Sequence, residues 1–242
     1  MRRIVTILAL GLLAAGAASS ALAASVPNTL KQRIKACTAC HGEQGGGGQQ
    51  DFYPRLGGQH AGYLFRQLRE FREGIRAYPV MQYMANRLPD DYLHEIAQYF
   101  SEQNPPYPPV AQNTFNPALI VLGRQLTNQG NWRTGVPACE ACHGPDLRGT
   151  PPYIPDLLGQ PIAYIDAQLG GWAAGTRGPK GDVMRWVASD LSQQDIRALD
   201  AYLATLRPPG QSHVSLLKPG YQQPRPPVES RVYEFPNGAW GR

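Results

Sequence analysis

The chain has 242 residues, enough for one large domain or two of ordinary size, and a formal net charge of +5 from 23 Lys and Arg against 18 Asp and Glu. Its basic residues are scattered rather than clustered, which argues against a nucleic-acid surface. Four cysteines form two pairs of identical spacing, each followed at once by histidine. A structural disulfide suits that spacing poorly, and one pooled zinc site would leave both histidines unexplained.

In chain order, Met1-Arg2-Arg3 leads into the apolar and small-residue run Ile4 to Ala18, and Ala21-Leu22-Ala23 follows with a small-x-small pattern. This is the form of a secretory signal peptide over residues 1–23, cut after Ala23. Removing Arg2 and Arg3 leaves 21 basic against 18 acidic side chains, or +3. No other stretch is apolar for long enough to cross a bilayer, so the mature chain is expected to be exported without a transmembrane segment.

Cys37-Thr38-Ala39-Cys40-His41 comes next. Covalent haem attachment needs two thiols one helical turn apart, so that both vinyl groups of one porphyrin are reached, and an imidazole beside them for the iron. Pro54-Arg55-Leu56-Gly57-Gly58-Gln59, Tyr63, Gln67-Leu68 and Gly74 follow, then Met81 and Met84. Leu88, Leu93, Ile96, Ala97 and Phe100 recur at helical spacing, with Pro89 placed where a first turn tolerates proline. The Asn104-Pro105-Pro106-Tyr107-Pro108-Pro109 run then breaks the unit.

The same order returns: Cys139-Glu140-Ala141-Cys142-His143, Pro155-Asp156-Leu157-Leu158-Gly159-Gln160, Tyr164, Gln168-Leu169, Gly175 and Met184. The offset is 102 residues between Cys37 and Cys139, 101 between Pro54 and Pro155, and 103 between Met81 and Met184. A second amphipathic helix carries Leu191, Ile196, Leu199, Tyr202, Leu203 and Leu206, opened by a capping box of Ser192 with Asp195. Two Cys-x-x-Cys-His motifs at repeat-equivalent positions, using every cysteine of an exported chain, favour two covalent haem c groups over zinc or a redox dithiol.

His41 and His143 are then one axial ligand each, and the repeat nominates Met81 and Met184 as the others. Cys37 to Met81 is 44 residues, Cys139 to Met184 is 45, and each methionine lies seven residues before the first apolar residue of its helix. Met84 is the rival for the first iron and otherwise a core filler. A thioether ligand raises the potential, and two protein ligands leave no open position, so electron transfer is favoured over catalysis at the metal. His60, His94 and His213 have no counterpart in the other copy and read as surface or hydrogen-bonding residues. The Pro54 and Pro155 carbonyls are candidates to accept the imidazole N–H; otherwise these are turn prolines. Tyr63 and Tyr164 point to a haem edge or propionate, or simply pack. From Pro208 to Arg242, seven prolines in 35 residues without apolar periodicity mark an irregular or extended tail over 208–242.

On Cys37-x-x-Cys40-His41-Gly42, Gly57-Gly58-Gln59-His60 with Tyr63 and Gln67-Leu68, Met81 ahead of Leu88, and their second-copy equivalents, the chain resembles the dihaem cytochromes c4 of bacterial periplasms. The resemblance implies an all-α fold of two tandem class I cytochrome c domains, 24–110 and 111–207, related by pseudo-twofold symmetry, with the Pro-rich tail appended. It implies a periplasmic electron carrier between a quinol-oxidising complex or dehydrogenase and a terminal oxidase or reductase. The alternative is a bound electron-transfer subunit of a dehydrogenase acting on sulfide, an alcohol or a similar substrate. A dihaem peroxidase would need an open or switchable iron. Two features depart from the family pattern: the tail, and Leu158 where the first copy has Gly57.

Overall fold

The structure is a computed structural model that describes residues 28–47, 52–108 and 115–206. The signal-peptide segment, the tail with His213, and residues 109–114 of the linker lie outside the described residues. The chain divides into two compact units, Met1–Arg33 and Ile34–Arg242. The first contributes one described turn of helix, α1 (Leu30–Arg33). All other described elements belong to the second unit.

The first repeat holds α2 (Lys35–His41), α3 (Ala61–Arg72), α4 (Pro79–Ala85) and α5 (Asp90–Ser101). The second holds α6 (Pro117–Gln129), α7 (Glu140–His143), α8 (Ile162–Ala173), α9 (Val183–Ser189) and α10 (Gln193–Leu203). Among the described residues the only β pairing is two isolated bridges, Asn131 with Val136 and Thr150 with Ile154. The fold is all-α, as the sequence indicated.

Local chemistry explains the helix ends. The capping box is present at α10: Ser192 Oγ accepts from the Asp195 amide at 3.1 Å, and Asp195 Oδ2 accepts from the Ser192 amide at 2.9 Å. Pro89 occupies the N-cap of α5 rather than its first turn, and Asp90 and Asp91 supply the negative charge there. Helix α6 starts on an Asn116 cap that accepts from the Ala118 amide, has Pro117 at its first position, and stops at Gly130.

Helix α5 buries Leu93, Ile96, Ala97 and Phe100; α10 buries Ile196, Leu199, Asp200 and Leu203 at the same four places, with Ala198 and Ala201 added. In the first repeat α3 packs on α4 and α5; in the second α10 packs on α6 and α8, and α8 on α9. Every one of these pairs lies within one repeat.

The repeats meet through reciprocal hydrogen bonds. Gln59 Nε2 donates to the Asp156 carbonyl at 2.8 Å while its Oε1 accepts from the Asp156 amide at 3.0 Å. Gln160, the equivalent of Gln59, makes the same pair with Arg55, the equivalent of Asp156, at 3.0 Å each way. An exchange in which each copy offers the other the same groups is the signature of an isologous, twofold-like contact. The linker is fastened across it. Arg55 donates to the carbonyls of Pro105 and Pro106 and stacks over Tyr107, whose hydroxyl donates to Asp156 at 3.0 Å.

Candidate functional site

Helical geometry sets the thiols. Residues three apart share a helix face, so Cys37 and Cys40 on α2, and Cys139 and Cys142 at the start of α7, are each one turn apart, and all four are free thiols. Burial pushes the Cys37 thiol up and carries Cys139 to about 11. A protonated thiol is a poor zinc ligand and a poor redox nucleophile. Among the described residues no group of three or more His, Cys, Asp or Glu side chains is placed to hold a metal ion, so the four cysteines do not pool.

Each histidine is held by the loop that follows it. His41 Nδ1 lies 3.1 Å from the Pro54 carbonyl, and His143 Nδ1 lies 2.9 Å from the Pro155 carbonyl. A carbonyl only accepts, so Nδ1 carries the proton and Nε2 keeps a lone pair for a metal. Burial lowers the pKa of both rings and keeps them neutral. The loops share a backbone: Gly42 (φ 82°, ψ 159°) and Gly144 (φ 83°, ψ 157°) occupy a region open essentially to glycine alone. Five residues after each glycine, the Gly47 amide returns to the His41 carbonyl at 3.0 Å, and the Gly149 amide to the His143 carbonyl at 2.8 Å. Two different sequences thus place the two imidazoles alike.

Between the halves sits a buried cluster with the same exchange symmetry. Arg76 stacks on Phe71 and donates to Gln67 of its own half, then crosses to Tyr164 and Gln168 at 3.1 and 2.5 Å. Arg177 stacks on Trp172, donates to Gln168, and crosses to Tyr63 and Gln67 at 3.0 and 3.1 Å. Burial raises the Tyr164 phenol, but the two guanidiniums outweigh it and bring the group down to about 8. The one carboxylate of the cluster, Glu70, already pairs with Arg66 at 3.5 Å, and its place in the second half is taken by Gly171. Arg177 Nε is buried without an acceptor. Two buried cations that share the single carboxylate of Glu70 with Arg66, one of them close enough to His41 to act on its charge, suit the acidic edge of a porphyrin. The tyrosines and glutamines stand out in the sequence and the two arginines do not, although Gly74-Ile75-Arg76 and Gly175-Thr176-Arg177 carry the 101-residue offset.

Met81 and Met184 sit on the short helices α4 and α9, each partly buried, with Ala85 and Ala188 fully buried four residues later in both. Met184 packs into the same cluster as Cys139, Ile196 and Leu199. Met84 is also partly buried on α4. His94 is stacked on Phe65 at 3.8 Å between ring centres, and His60 is the N-cap of α3 with Nε2 buried and unpartnered.

A family model for cytochrome c matches residues 31–106. The thiosulfate dehydrogenase electron acceptor of Thiomonas intermedia (strain K12) is 37% identical over 205 residues, 84% of this chain and 91% of that protein. The crystal structure of reduced recombinant cytochrome c4 from Pseudomonas stutzeri superposes with a TM-score of 0.65 at 34% identity, over 74% of this chain and 97% of that one. The chain belongs to the cytochrome c4 family. As a cytochrome c4 homologue it is an electron-transfer protein with covalently bound haem c, two groups matching its two motifs. Thiosulfate dehydrogenase (TsdBA) from Marichromatium purpuratum also superposes, with a TM-score of 0.64 at 36% identity, over 71% of this chain and 36% of that longer one. No helix among the described residues is long and apolar enough to cross a membrane.

Proposed function

We propose that this cytochrome accepts electrons in the periplasm from a dehydrogenase of the thiosulfate-oxidising kind and passes them to a terminal oxidase or reductase. One haem is held by Cys37, Cys40, His41 and Met81, the other by Cys139, Cys142, His143 and Met184. The observation that carries the haem reading is the pair of buried imidazoles with Nδ1 donated to Pro54 and Pro155. Bound there, each haem supplies a one-electron ferric–ferrous couple whose potential the thioether raises.

The residues of the chain do the rest. Pro54 and Pro155 fix the ring orientations, and Arg76 and Arg177 neutralise acidic groups that burial would otherwise destabilise. The reciprocal contacts hold Arg55 and Gln59 of the first repeat against Gln160 and Asp156 of the second. The equivalence of Met81–Ala85 with Met184–Ala188 supports Met81 over Met84. Met81→Ala is expected to lose the near-infrared sulfur-to-iron band of one haem, and Met84→Ala to keep it. The opposite result reverses the assignment.

The dehydrogenase reading draws on the Thiomonas relative and on the match inside the Marichromatium enzyme. Stopped-flow mixing of the ferric protein with a thiosulfate dehydrogenase and thiosulfate tests it. Rapid growth of the reduced α-band supports the reading; reduction by ascorbate alone refutes it. The near-complete coverage of a free-standing cytochrome c4 favours a second reading, a diffusible carrier fed by a quinol-oxidising complex. Size exclusion of the native extract separates that free carrier from an electron-transfer subunit bound in a dehydrogenase complex. Export follows from residues 1–23, and a mature N-terminus at Ala24 checks it.

A further inference from the structure

Asp200 is the anomaly of the second half. On α5 the buried face is Leu93, Ile96, Ala97 and Phe100; on α10 it is Ile196, Leu199, Asp200 and Leu203. Asp200 therefore stands where the first half has a fully buried alanine, in a helix face that is otherwise apolar. It is 7% exposed, and its Oδ1 is buried with no hydrogen-bond partner. Such a group costs stability and is kept only for a reason or by tolerance. Its neighbours along the helix, Ile196 and Leu199, belong to the cluster that Cys139 and Met184 pack against, and Leu203 to a second cluster that Cys139 also joins, so the carboxyl shares its helix with residues of the second site.

The surrounding charges do not neutralise it. Helix α10 packs on α6 and α8. Helix α8 contributes Asp166, which is exposed and of like sign. The one charged residue of α6, Arg124, is exposed and lines an outer cleft with Val121, Gln125 and Asn128. On α10 itself Arg197 is exposed and Asp195 is engaged with Ser192.

We propose that Asp200 is the proton acceptor coupled to reduction of the second haem: it takes a proton from solvent as that iron goes from ferric to ferrous, and releases it on reoxidation. The electron comes from the redox partner, the proton from bulk water, and no net charge is added to the buried site. The coupling is electrostatic. A ferric centre carries one more positive charge than a ferrous one and favours the carboxylate; in a low-dielectric wall, losing that charge favours the acid. Burial, with Asp166 adding to it, raises the Asp200 carboxyl to about 7, inside the working range of pH. The first half has Ala97 at this place and lacks the device.

The inference rests on the second haem being held at Cys139, Cys142 and His143. Spectroelectrochemical titration of the full dihaem protein from pH 5 to 9, for wild type, Asp200→Asn and Asp200→Ala, tests it. In the wild type, at fixed potential, the ferrous-to-ferric ratio of one haem is expected to fall by up to about tenfold per pH unit across the neutral range. Both variants should lose that step and leave the other haem unchanged. Variants that keep the step, or a wild type without it, overturn the proposal. A haem-to-protein ratio of one in the wild type would instead refute the haem assignment. Reduced-minus-oxidised infrared difference spectra of the wild type need no variant. A protonated carboxylic C=O band must appear on reduction near pH 7 and be lost in Asp200→Asn; its absence in the wild type also overturns the proposal.

Discussion

The two haem-binding loops follow one backbone path but are filled from opposite directions. In the first half the path is lined by Gly45 and Gly57, and the space is taken by Phe100 and Pro105: a Cβ on Gly45 would lie 2.7 Å from Phe100 Cδ1, and one on Gly57 2.5 Å from Pro105 Cδ and 2.6 Å from the Gln44 carbonyl. In the second half the equivalents are Leu147, Leu158 and Leu203, which form a buried cluster of their own. Leu147 even adopts a positive φ of 57°, the only non-glycine among the described residues to do so. The volume is conserved while its source changes from helix and linker to loop. Backbone hydrogen bonds such as Leu56 to Gly45 and Leu157 to Leu147, at 2.8 and 2.9 Å, are what both halves preserve. The side chains are interchangeable filling, provided the exchange is made as a set.

The largest effect comes from breaking the set. Gly57→Leu has nowhere to place its side chain and should cost about 3 kcal/mol or more, while Leu158→Ala should cost about 2–5 kcal/mol through the cavity it leaves. Urea midpoints of the holoprotein measure both. Gly45→Leu should also be destabilising, and combining it with Phe100→Leu should recover part of its loss; equal losses with and without Phe100→Leu would mean the filling is not shared.

Next come the reciprocal glutamines. Gln59 makes both of its bonds in a buried setting, whereas those of Gln160 are only part-buried. Gln59→Ala should therefore cost about 1–3 kcal/mol and Gln160→Ala less, since a buried backbone group left unpaired forfeits its desolvation. Equal midpoints for the two variants would show that exposure does not distinguish the two arms of the contact.

Asp200 against Ala97 sharpens the comparison through pH. The folded-state carboxyl is raised above its ordinary 3.8 to about 7, so the folded protein binds more protons between those values. Stability from this group is complete below the lower value and is lost as pH rises through the upper one. Asp200→Asn should then be more stable than wild type above pH 7, with the advantage shrinking to nothing near pH 4, as read from Tm at each pH. An advantage independent of pH would mean that packing, not ionisation, sets it.

The smallest effect separates the two helix caps. Ser192→Ala removes a complete capping box and should cost about 1 kcal/mol, while Pro89→Ala at the equivalent cap removes no side-chain hydrogen bond and should cost less. Thermal midpoints of the two variants make the comparison.

Much of the molecule was legible in advance. The Cys-x-x-Cys-His motifs, the repeat, the stripes of α5 and α10 and the Ser192 cap are local patterns, written within one or two turns of chain. The carbonyls of Pro54 and Pro155 were within reach because loop length alone limits where a histidine N–H can find an acceptor. Helix α6 is less legible, although Asn116-Pro117 and Gly130 mark its ends and Leu119, Leu122 and Leu126 its face. The proline run hid the restart of helix beyond it.

The sequence by itself determined that the chain carries two Cys-x-x-Cys-His motifs, the basis for counting two haem c groups. Only the tertiary structure decided that Arg76 serves Tyr164 and Gln168 while Arg177 serves Tyr63 and Gln67, and that Asp200 lies within an apolar wall. Covalent attachment and helix periodicity are set by neighbours in the chain. Partners about a hundred residues apart are chosen by which buried donors and acceptors remain unpaired when the halves close on one another, and no local pattern records that balance.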